Sequence, residues 1–151
     1  MTFGIGLCYI VTPLAKQREI AAKLVDHWLN GYGATYNPAR GEALKKVRVV
    51  SDLDEMVSDI EGDPLVIGTS SKERQEKGIS STELYSLAES GARPVLILFG
   101  TGWGLSDEVV NRCERMLVPI KGKGDYNHLS LRVAIGIILD RIFGERGGRD
   151  E

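Results

Sequence analysis

Apolar and polar positions along this chain switch repeatedly between two patterns. Short continuous apolar runs recur, and each is followed by a stretch in which apolar residues are spaced three or four positions apart. Continuous runs are typical of buried strands, and the wider spacing is typical of amphipathic helices. Their alternation predicts an α/β fold, with a parallel sheet that carries helices on both faces.

Turn and capping residues set the expected boundaries of these elements. Ser51-x-x-Asp54 and Ser80-x-x-Glu83 resemble capping boxes, and Gly91 is placed to close a helix. The strands are predicted at 5–11, 47–50, 65–68, 95–99 and 116–119. The helices are predicted at 16–30, 51–62, 80–91 and 129–144, with a further one that opens at 106–108. We expect one domain over 1–144, followed by a polar tail at 145–151.

The strongest single signal is the apolar run that ends at Phe99 and breaks into Gly100, Gly102 and Gly104. A strand that is apolar throughout belongs to a sheet buried on both faces. Glycines directly after such a strand let the backbone turn sharply and let a ligand approach it closely. The plainer interpretation, a tight turn that only joins strand to helix, explains the same glycines.

Three of the longer irregular segments follow predicted strands, at 69–71, 100–104 and 120–127. In a parallel sheet, such segments lie together at the carboxyl edge, where open α/β sheets bind ligands. Hydroxyls in the first, glycine backbone in the second and polar residues in the third suit a nucleoside. No Walker loop is present, and the glycines do not follow the first strand as a dinucleotide fingerprint would. These two absences argue against a nucleoside triphosphate and against NAD.

Composition narrows the class of protein further. The chain has 151 residues and a net charge of −2, so any RNA contact must come from a local basic patch. No apolar run is long enough for a membrane span, and no signal peptide is recognisable. Cys8 and Cys113 form no C-x-x-C pair and are interpreted as two structural thiols in a reducing compartment. The expectation is a cytoplasmic protein that uses neither membrane nor metal.

The motifs in combination resemble the SPOUT class of S-adenosylmethionine-dependent RNA methyltransferases. More closely, the chain resembles the bacterial SPOUT domain found alone or fused behind the tRNA guanine-N1 methyltransferase. The family pattern begins with one further strand and helix before Phe3, so this chain looks shortened by about one β/α unit. The motifs that carry the resemblance are Leu98-Phe99-Gly100-Thr101-Gly102-Trp103-Gly104-Leu105, Leu117-Val118-Pro119-Ile120, Tyr126-Asn127-His128-Leu129-Ser130, Val11-Thr12-Pro13-Leu14, His27-Trp28, Tyr36-Asn37-Pro38-x-Arg40 and Asp140-Arg141-Ile142-Phe143-Gly144.

The resemblance implies a deep trefoil knot, in which the last strand and helix thread through the preceding loops. General topology rules argue against knots, and an ordinary Rossmann-like domain would explain the same apolar helix. The resemblance also implies that S-adenosylmethionine lies bent between the three loops. The residues it implies for cofactor binding are Thr69, Ser70, Phe99, Gly100, Thr101, Gly102, Trp103, Gly104, Ile120, Lys121, Gly122, Tyr126, Asn127, Leu129 and Val133.

Candidate catalytic residues are Arg40, Asp125 and His128. Methyl transfer requires an aligned nucleophile and, in part, removal of its proton. Arg40 suits a phosphate or base contact better than proton transfer, Asp125 can equally stabilise a turn, and His128 can equally pack at a helix start. RNA contact would come from basic clusters, among which Lys121 and Lys123 are best placed. Aromatic residues at 36, 103 and 126 can stack on bases, although burial is the commoner fate.

The main hypothesis is a homodimeric enzyme that methylates RNA, such as tRNA or rRNA. The first alternative is a non-catalytic module that binds RNA or senses the cofactor beside a catalytic partner. A weaker alternative is a nucleotide-dependent oxidoreductase, against which the missing fingerprint counts. The sequence names neither the RNA and its nucleotide nor whether a base or a ribose is methylated.

Overall fold

The computed structural model describes residues 2–72, 77–124 and 127–144. It divides into two compact units, Met1–Ile60 and Glu61–Glu151, which are described separately below. A single domain over 1–144 stays a prediction. Across the described residues, every helix is too short or too polar to cross a membrane.

The first unit is built on a small parallel sheet of two strands. Residues of β1 and β2 pair in register from Cys8 opposite Val47 to Val11 opposite Val50. The hydroxyl of Tyr9 in β1 donates a hydrogen bond of 2.6 Å to the carboxylate of Asp59. The elements of this unit are β1 (Cys8–Val11), α1 (Ala15–Leu29), α2 (Tyr32–Tyr36), α3 (Pro38–Leu44), β2 (Val47–Val50) and α4 (Leu53–Ser58).

Helices α2 and α3 were missing from the sequence prediction, which placed a loop there. The segment is interrupted by Gly31, Gly33 and Pro38, so its apolar spacing is too short to register as helical. Local chemistry nevertheless builds α3, because the Asn37 side chain accepts a hydrogen bond from the backbone N–H of Arg40 and Pro38 occupies the first turn.

The predicted cap of α4 was wrong by one residue. Asp52, not Ser51, is the N-cap, and its carboxylate accepts a hydrogen bond of 2.9 Å from the Glu55 N–H. The Glu55 carboxylate in turn accepts hydrogen bonds from the backbone and hydroxyl of Ser51, which lowers the pKa of Glu55. The helix also ends at Ser58, earlier than the expected stop at Gly62.

The second unit contains a four-stranded sheet in which all pairs are parallel, in the order β4-β6-β3-β5. This confirms a parallel α/β arrangement, although the strands form two separate ladders rather than one. The two-residue strand β4 was not predicted, because a run that short leaves no pattern. The elements are β3 (Leu65–Gly68), β4 (Gly78–Ile79), α5 (Ser81–Ser90), β5 (Val95–Leu98), α6 (Asp107–Arg112), β6 (Arg115–Leu117) and α7 (Leu131–Phe143).

The core of the second unit lies between the sheet and helices α5 and α7. Ile67, Leu84 and Ile142 are fully buried there, and Ile138 is nearly so. The capping box of Ser80 and Glu83 is present as predicted, and Gly91 ends α5 in the left-handed conformation. The apolar band of α7 is not buried all round, since Val133 is 48% exposed.

The two cysteines differ in environment, and only one matches the predicted structural thiol. Cys113 is buried, and burial raises the pKa of its thiol. Its thiol therefore stays protonated near neutral pH and is unsuited to act as a nucleophile. Cys8 was predicted to lie in apolar surroundings, but it is exposed on β1, a strand whose side chains are largely open to solvent.

Candidate functional site

A cavity of about 770 Å³ opens in the second unit where β3, β5 and β6 end. Its wall includes residues from all three strand-end loops that the sequence singled out, and from the start of α7. The convergence follows from topology, because β5, β3 and β6 are adjacent parallel strands and their carboxyl ends share one edge. The volume falls in the range of small-molecule sites, which is about 300–1,000 Å³.

The glycine loop after β5 closes on itself at Gly100. A Cβ atom at this position would lie 2.2 Å from the carbonyl carbon of Gly104 and 2.4 Å from the backbone nitrogen of Leu105. Both neighbours are backbone atoms that cannot swing aside. Thr101 and Gly104 also form an isolated antiparallel bridge, and Gly104 has a φ of +83°. Gly100 and Gly104 are therefore glycines for reasons internal to the loop.

Gly102 and Trp103, at the tip of the same loop, have no such constraint. A Cβ atom on Gly102 would meet no heavy atom within 4 Å. The side chain of Trp103 is completely exposed, with 104% of its reference surface accessible. The expectation that aromatic side chains are usually buried is wrong for Trp103. The tip thus offers open backbone and a free indole face at the cavity wall.

Hydrogen bonds join the neighbouring loops around the cavity. The Thr69 hydroxyl donates to the Leu98 carbonyl over 2.8 Å, which ties the first loop to β5. The side-chain amide of Asn127 donates to the Ser71 carbonyl over 3.1 Å, which ties the third loop to the first. Asn127 was predicted as a cofactor ligand, and its amide N–H is used here to hold two loops together.

The wall of the cavity mixes apolar and hydrogen-bonding surface. Phe99, Leu129 and Ile138 supply apolar side chains, and hydroxyls and amides lie among them. Among the described lining residues, Asp107 carries the single carboxylate and Lys72 the single amine. A flat apolar ring bearing polar groups, as in a nucleoside, matches this donor set better than a purely charged or purely apolar ligand.

The structure brings most of the predicted cofactor residues into this one wall. Lys121, Gly122 and Val133 are described but are not among the residues that line the cavity, and their role in cofactor binding stays a prediction. Asp125 and Tyr126 lie outside the described residues. The predicted residues that line the cavity are Thr69, Ser70, Phe99, Gly100, Thr101, Gly102, Trp103, Gly104, Ile120, Asn127, His128 and Leu129.

Several lining residues were missed from the sequence. Ser106 and Asp107 were interpreted only as a helix start, and Ser106 does cap α6. Leu131, Ala134 and Ile138 line the cavity along one face of α7. Their spacing of three and four positions would have identified that face. It could not have identified the cavity, because apolar spacing alone does not distinguish a helix face in the core from one that lines a cavity.

Arg40, the third candidate catalytic residue, belongs to the first unit and is not part of this cavity wall. Its guanidinium carbon lies 4.4 Å from the centroid of the Trp28 ring, in a cation–π contact. Among the residues that the structure describes, no carboxylate or carbonyl is recorded as a hydrogen-bond partner of this guanidinium. Its N–H donors are thus available for an external anion or base.

The other basic residues near Arg40 in sequence make contacts within the protein. Lys45 forms an ion pair of 2.6 Å with Glu42, and Arg48 donates to the Lys45 carbonyl over 2.8 Å. Lys46 donates to the Ile5 carbonyl over 3.3 Å. A second group of basic residues consists of Lys72, Arg74 and Lys77; Lys77 donates to the Cys113 carbonyl, and Arg74 lies outside the described residues. Lys45, Lys46, Arg48 and Lys77 are therefore used in contacts within the protein.

Comparison with known proteins identifies the family. A family model described as SAM-dependent RNA methyltransferase matches residues 1–144. The chain belongs to this family. Its members use S-adenosylmethionine, so the family assigns a cofactor class to the chain. The resemblance to SAM-dependent RNA methyltransferases inferred from the motifs is therefore confirmed.

One of the relatives of this chain is a longer protein. It is 44% identical over 148 residues to the tRNA (guanine-N(1)-)-methyltransferase of Oleidesulfovibrio alaskensis, covering 95% of this chain and 34% of that protein. The chain thus spans about a third of the length of this curated relative.

Solved structures support the fold. TrmJ from Z. mobilis superposes with a TM-score of 0.61 at 15% identity, over 95% of this chain and 70% of that one. An rRNA methyltransferase from Sinorhizobium meliloti, crystallised with AdoMet bound, gives a TM-score of 0.54 at 18% identity, over 93% and 46% of the two chains. At these identities the likeness concerns the fold alone, an α/β fold with a parallel sheet that is similar to these methyltransferases.

Proposed function

We propose that this chain transfers a methyl group from S-adenosylmethionine to a nucleotide of tRNA or rRNA, and that the cavity of the second unit holds the cofactor. The observation that carries the proposal is the convergence of three strand-end loops, one of them with open glycine backbone, on one nucleoside-sized cavity. In a chain whose family uses S-adenosylmethionine, a cavity of this volume and lining is a suitable place for the cofactor.

The residues of the cavity fit an adenosine. Backbone of Phe99, Gly100 and Ile120 would face the adenine, with Leu129 as an apolar wall. The Ser70 hydroxyl can donate to the polar edges of the nucleoside, and the Thr69 hydroxyl oxygen, whose hydrogen is bonded to the Leu98 carbonyl, can accept from them. The open space at Gly102 would be filled by the ligand, and Asp107 supplies a negative charge for the cationic end of the cofactor.

The cofactor supplies a methyl group bonded to a positively charged sulfur. When bound, it would supply this methyl to a nitrogen or oxygen of the RNA, and the electron pair of the broken carbon–sulfur bond would remain on sulfur. The chain has to align the nucleophile, exclude water and accept the proton that the nucleophile loses. His128 lines the cavity and is the described candidate for that proton; Asp125, the other candidate, lies outside the described residues.

The proposal also includes a homodimer and a C-terminal trefoil knot. Leu129 is 46% exposed and Val133 is 48% exposed, which leaves apolar surface at the start of α7 for a symmetric partner. In such a dimer, Arg40 of one protomer would contact the RNA held at the cavity of its partner. Light scattering that gives twice the chain mass is expected, and a monomer at high micromolar concentration would contradict the shared site.

The activity is tested by incubating the protein with S-adenosylmethionine that carries a radiolabelled methyl group and with total cellular RNA. We expect label in RNA and a roughly tenfold or larger loss in Arg40→Ala, with cofactor affinity by calorimetry unchanged, since Arg40 lies outside the cavity. Lys45→Ala is the matched control, because its amine is already paired with Glu42. Equal transfer by wild type and Arg40→Ala would remove Arg40 from the proposal.

A second candidate function is a non-catalytic module that binds RNA or senses the cofactor. In the tRNA (guanine-N(1)-)-methyltransferase of Oleidesulfovibrio alaskensis the matching segment is about a third of a longer protein, and a segment of that kind can assist a catalytic part elsewhere in the same protein. The test uses a sample that includes any segments that flank this chain in the natural protein. If that sample binds the cofactor but transfers no methyl group to any RNA, the result supports this alternative. Transfer by the chain itself would exclude it.

A further inference from the structure

Two tyrosines of the first unit form an exposed aromatic pair that the proposed chemistry does not use. Tyr32 and Tyr36 lie on α2, with ring centroids 6.3 Å apart and ring planes 22° from parallel. Tyr32 is 75% exposed and Tyr36 is 73% exposed. Large aromatic side chains bury far more of their surface when they serve only a core, so this pair invites a stacking partner.

The backbone beneath the pair is held firmly. A Cβ atom on Gly33, between the two tyrosines, would lie 2.6 Å from Cε3 of Trp28, so α2 sits directly on the indole. The same indole carries the Arg40 guanidinium at 4.4 Å. Trp28 thus packs against the helix that carries the aromatic pair and against the Arg40 guanidinium, whose N–H groups can donate to a ligand. A preformed surface of this kind loses little conformational freedom when a ligand binds.

The charge around the pair favours a polyanion. The chain contains 21 acidic residues, yet none falls between positions 27 and 41. Of the two carboxylates that flank this stretch, Glu42 is neutralised by a cation, whereas Asp26 is bonded to a neutral amide and keeps its charge. Asp26 accepts a hydrogen bond of 2.7 Å from the Asn30 side chain, and Glu42 is paired with Lys45. A phosphate backbone could therefore approach the pair without meeting an unpaired carboxylate in this stretch.

We infer that Tyr32 and Tyr36 form a stacking platform for the bases of single-stranded RNA, with Arg40 beside it as a phosphate contact. Exposed aromatic rings next to an arginine are the usual means of holding unpaired bases without reading their sequence. The residues beside the two tyrosines in the sequence are mostly small or polar, such as Asn30, Thr35 and Asn37. This inference rests on the proposed RNA substrate.

The test compares a fluorescein-labelled adenosine dodecamer with an abasic ribose-phosphate dodecamer of equal charge, both binding to the full chain. We expect Tyr32→Ala and Tyr36→Ala each to weaken binding of the adenosine dodecamer by roughly 5- to 140-fold, the range that one base-stacking contact spans. Tyr32→Phe and Tyr36→Phe should bind like wild type, because phenylalanine keeps the π face. Leu24→Ala, an exposed apolar residue of α1, is the matched control and should also bind normally.

A second measurement needs no alanine variant. Fluorotyrosine is incorporated, and the ¹⁹F resonances of positions 32 and 36 are assigned from the two phenylalanine variants. Both resonances should shift with the adenosine dodecamer and stay unchanged with the abasic one. Alanine variants that bind as tightly as wild type, or equal affinity for the two dodecamers, would overturn the platform. A change of oligomeric mass in the alanine variants would overturn it too, by assigning the pair to a contact between protein copies.

The outcomes separate this inference from the proposed function. If Tyr32→Ala and Tyr36→Ala keep wild-type methyl transfer and wild-type RNA affinity, the proposed enzymatic function is retained and the stacking platform is rejected. Failure of the wild-type chain to bind any RNA would remove both. Calorimetry with S-adenosylmethionine tests the cavity independently, because every residue that lines it lies in the second unit and the pair lies in the first.

Discussion

Alanine substitutions at the three glycines of the loop after β5 should give three different results. At Gly100, the new Cβ would lie 2.2 Å from one backbone atom and 2.4 Å from another, so the loop must open. At Gly104, the obstacle is conformational, since φ is +83° and nothing lies within 4 Å. At Gly102, neither obstacle exists, because the space is open and φ is not positive.

These differences convert into magnitudes for the free energy of unfolding. Forced displacement of packed backbone at Gly100 should cost about 1–3 kcal/mol. A left-handed alanine at Gly104 should cost about 1–2 kcal/mol. Alanine at Gly102 should be neutral or stabilising by up to about 1 kcal/mol, because it restricts the unfolded chain. For a chain of this size, 1 kcal/mol moves Tm by about 2–4 °C, so Gly100→Ala should melt about 2–12 °C lower.

Thermal melting followed by circular dichroism measures stability, and calorimetry with S-adenosylmethionine measures the site. Gly102→Val is the decisive variant: its Tm should match wild type, while cofactor affinity should fall at least about tenfold, because only a bound ligand would meet the new side chain. Gly6→Val, equally open but in the first unit, is the matched control for affinity. Unchanged affinity in Gly102→Val would refute the placement of the cofactor against this loop.

Two further predictions concern a titration and a charge contact. Burial and the hydrogen bond to Asp59 raise the pKa of Tyr9 from 10.0 to about 12. Because the folded state holds this proton more tightly than the unfolded state, Tyr9 contributes to the free energy of unfolding below pH 10, and this contribution is lost between pH 10 and 12. Ultraviolet titration should show a tyrosine that ionises at unusually high pH, and this ionisation should move to lower pH in Asp59→Asn. Identical titration curves for wild type and Asp59→Asn would contradict the prediction. Lys121 and Lys123 lie outside the cavity wall and should contact RNA phosphates. Replacing both by Ala should weaken RNA binding and make the affinity less dependent on salt concentration. Filter binding that gives the same slope of affinity against salt for variant and wild type would refute the contact.

The sequence by itself determined the parallel α/β pattern and the loops that carry the site. It did so because both depend on local signals: continuous apolar runs, caps such as Ser80 with Glu83, and glycines placed directly after a strand. Once β3, β5 and β6 are parallel neighbours, their following loops share an edge. The family was likewise readable from the motifs, and the match over residues 1–144 confirms it.

The sequence did not determine the elements that lack a sufficiently long pattern. Helices α2 and α3 escaped it because glycines and a proline interrupt their short spans, and strand β4 has only two residues. The division of hydrophobic residues between core and cavity also escaped it. The sequence pattern of Leu131, Ala134 and Ile138 is that of core residues, and only the folded sheet edge makes them part of the cavity wall.

Tertiary structure alone determined which glycines are sterically required and which aromatic side chains are exposed. Gly100 and Gly102 look equivalent in the sequence, yet a side chain at the first collides with the backbone of its own loop and at the second meets open space. Trp28 and Trp103 look equally apolar, yet one supports α2 and Arg40 while the other is wholly exposed. Such differences depend on contacts between residues distant along the chain or on how a loop closes, and no local pattern encodes them.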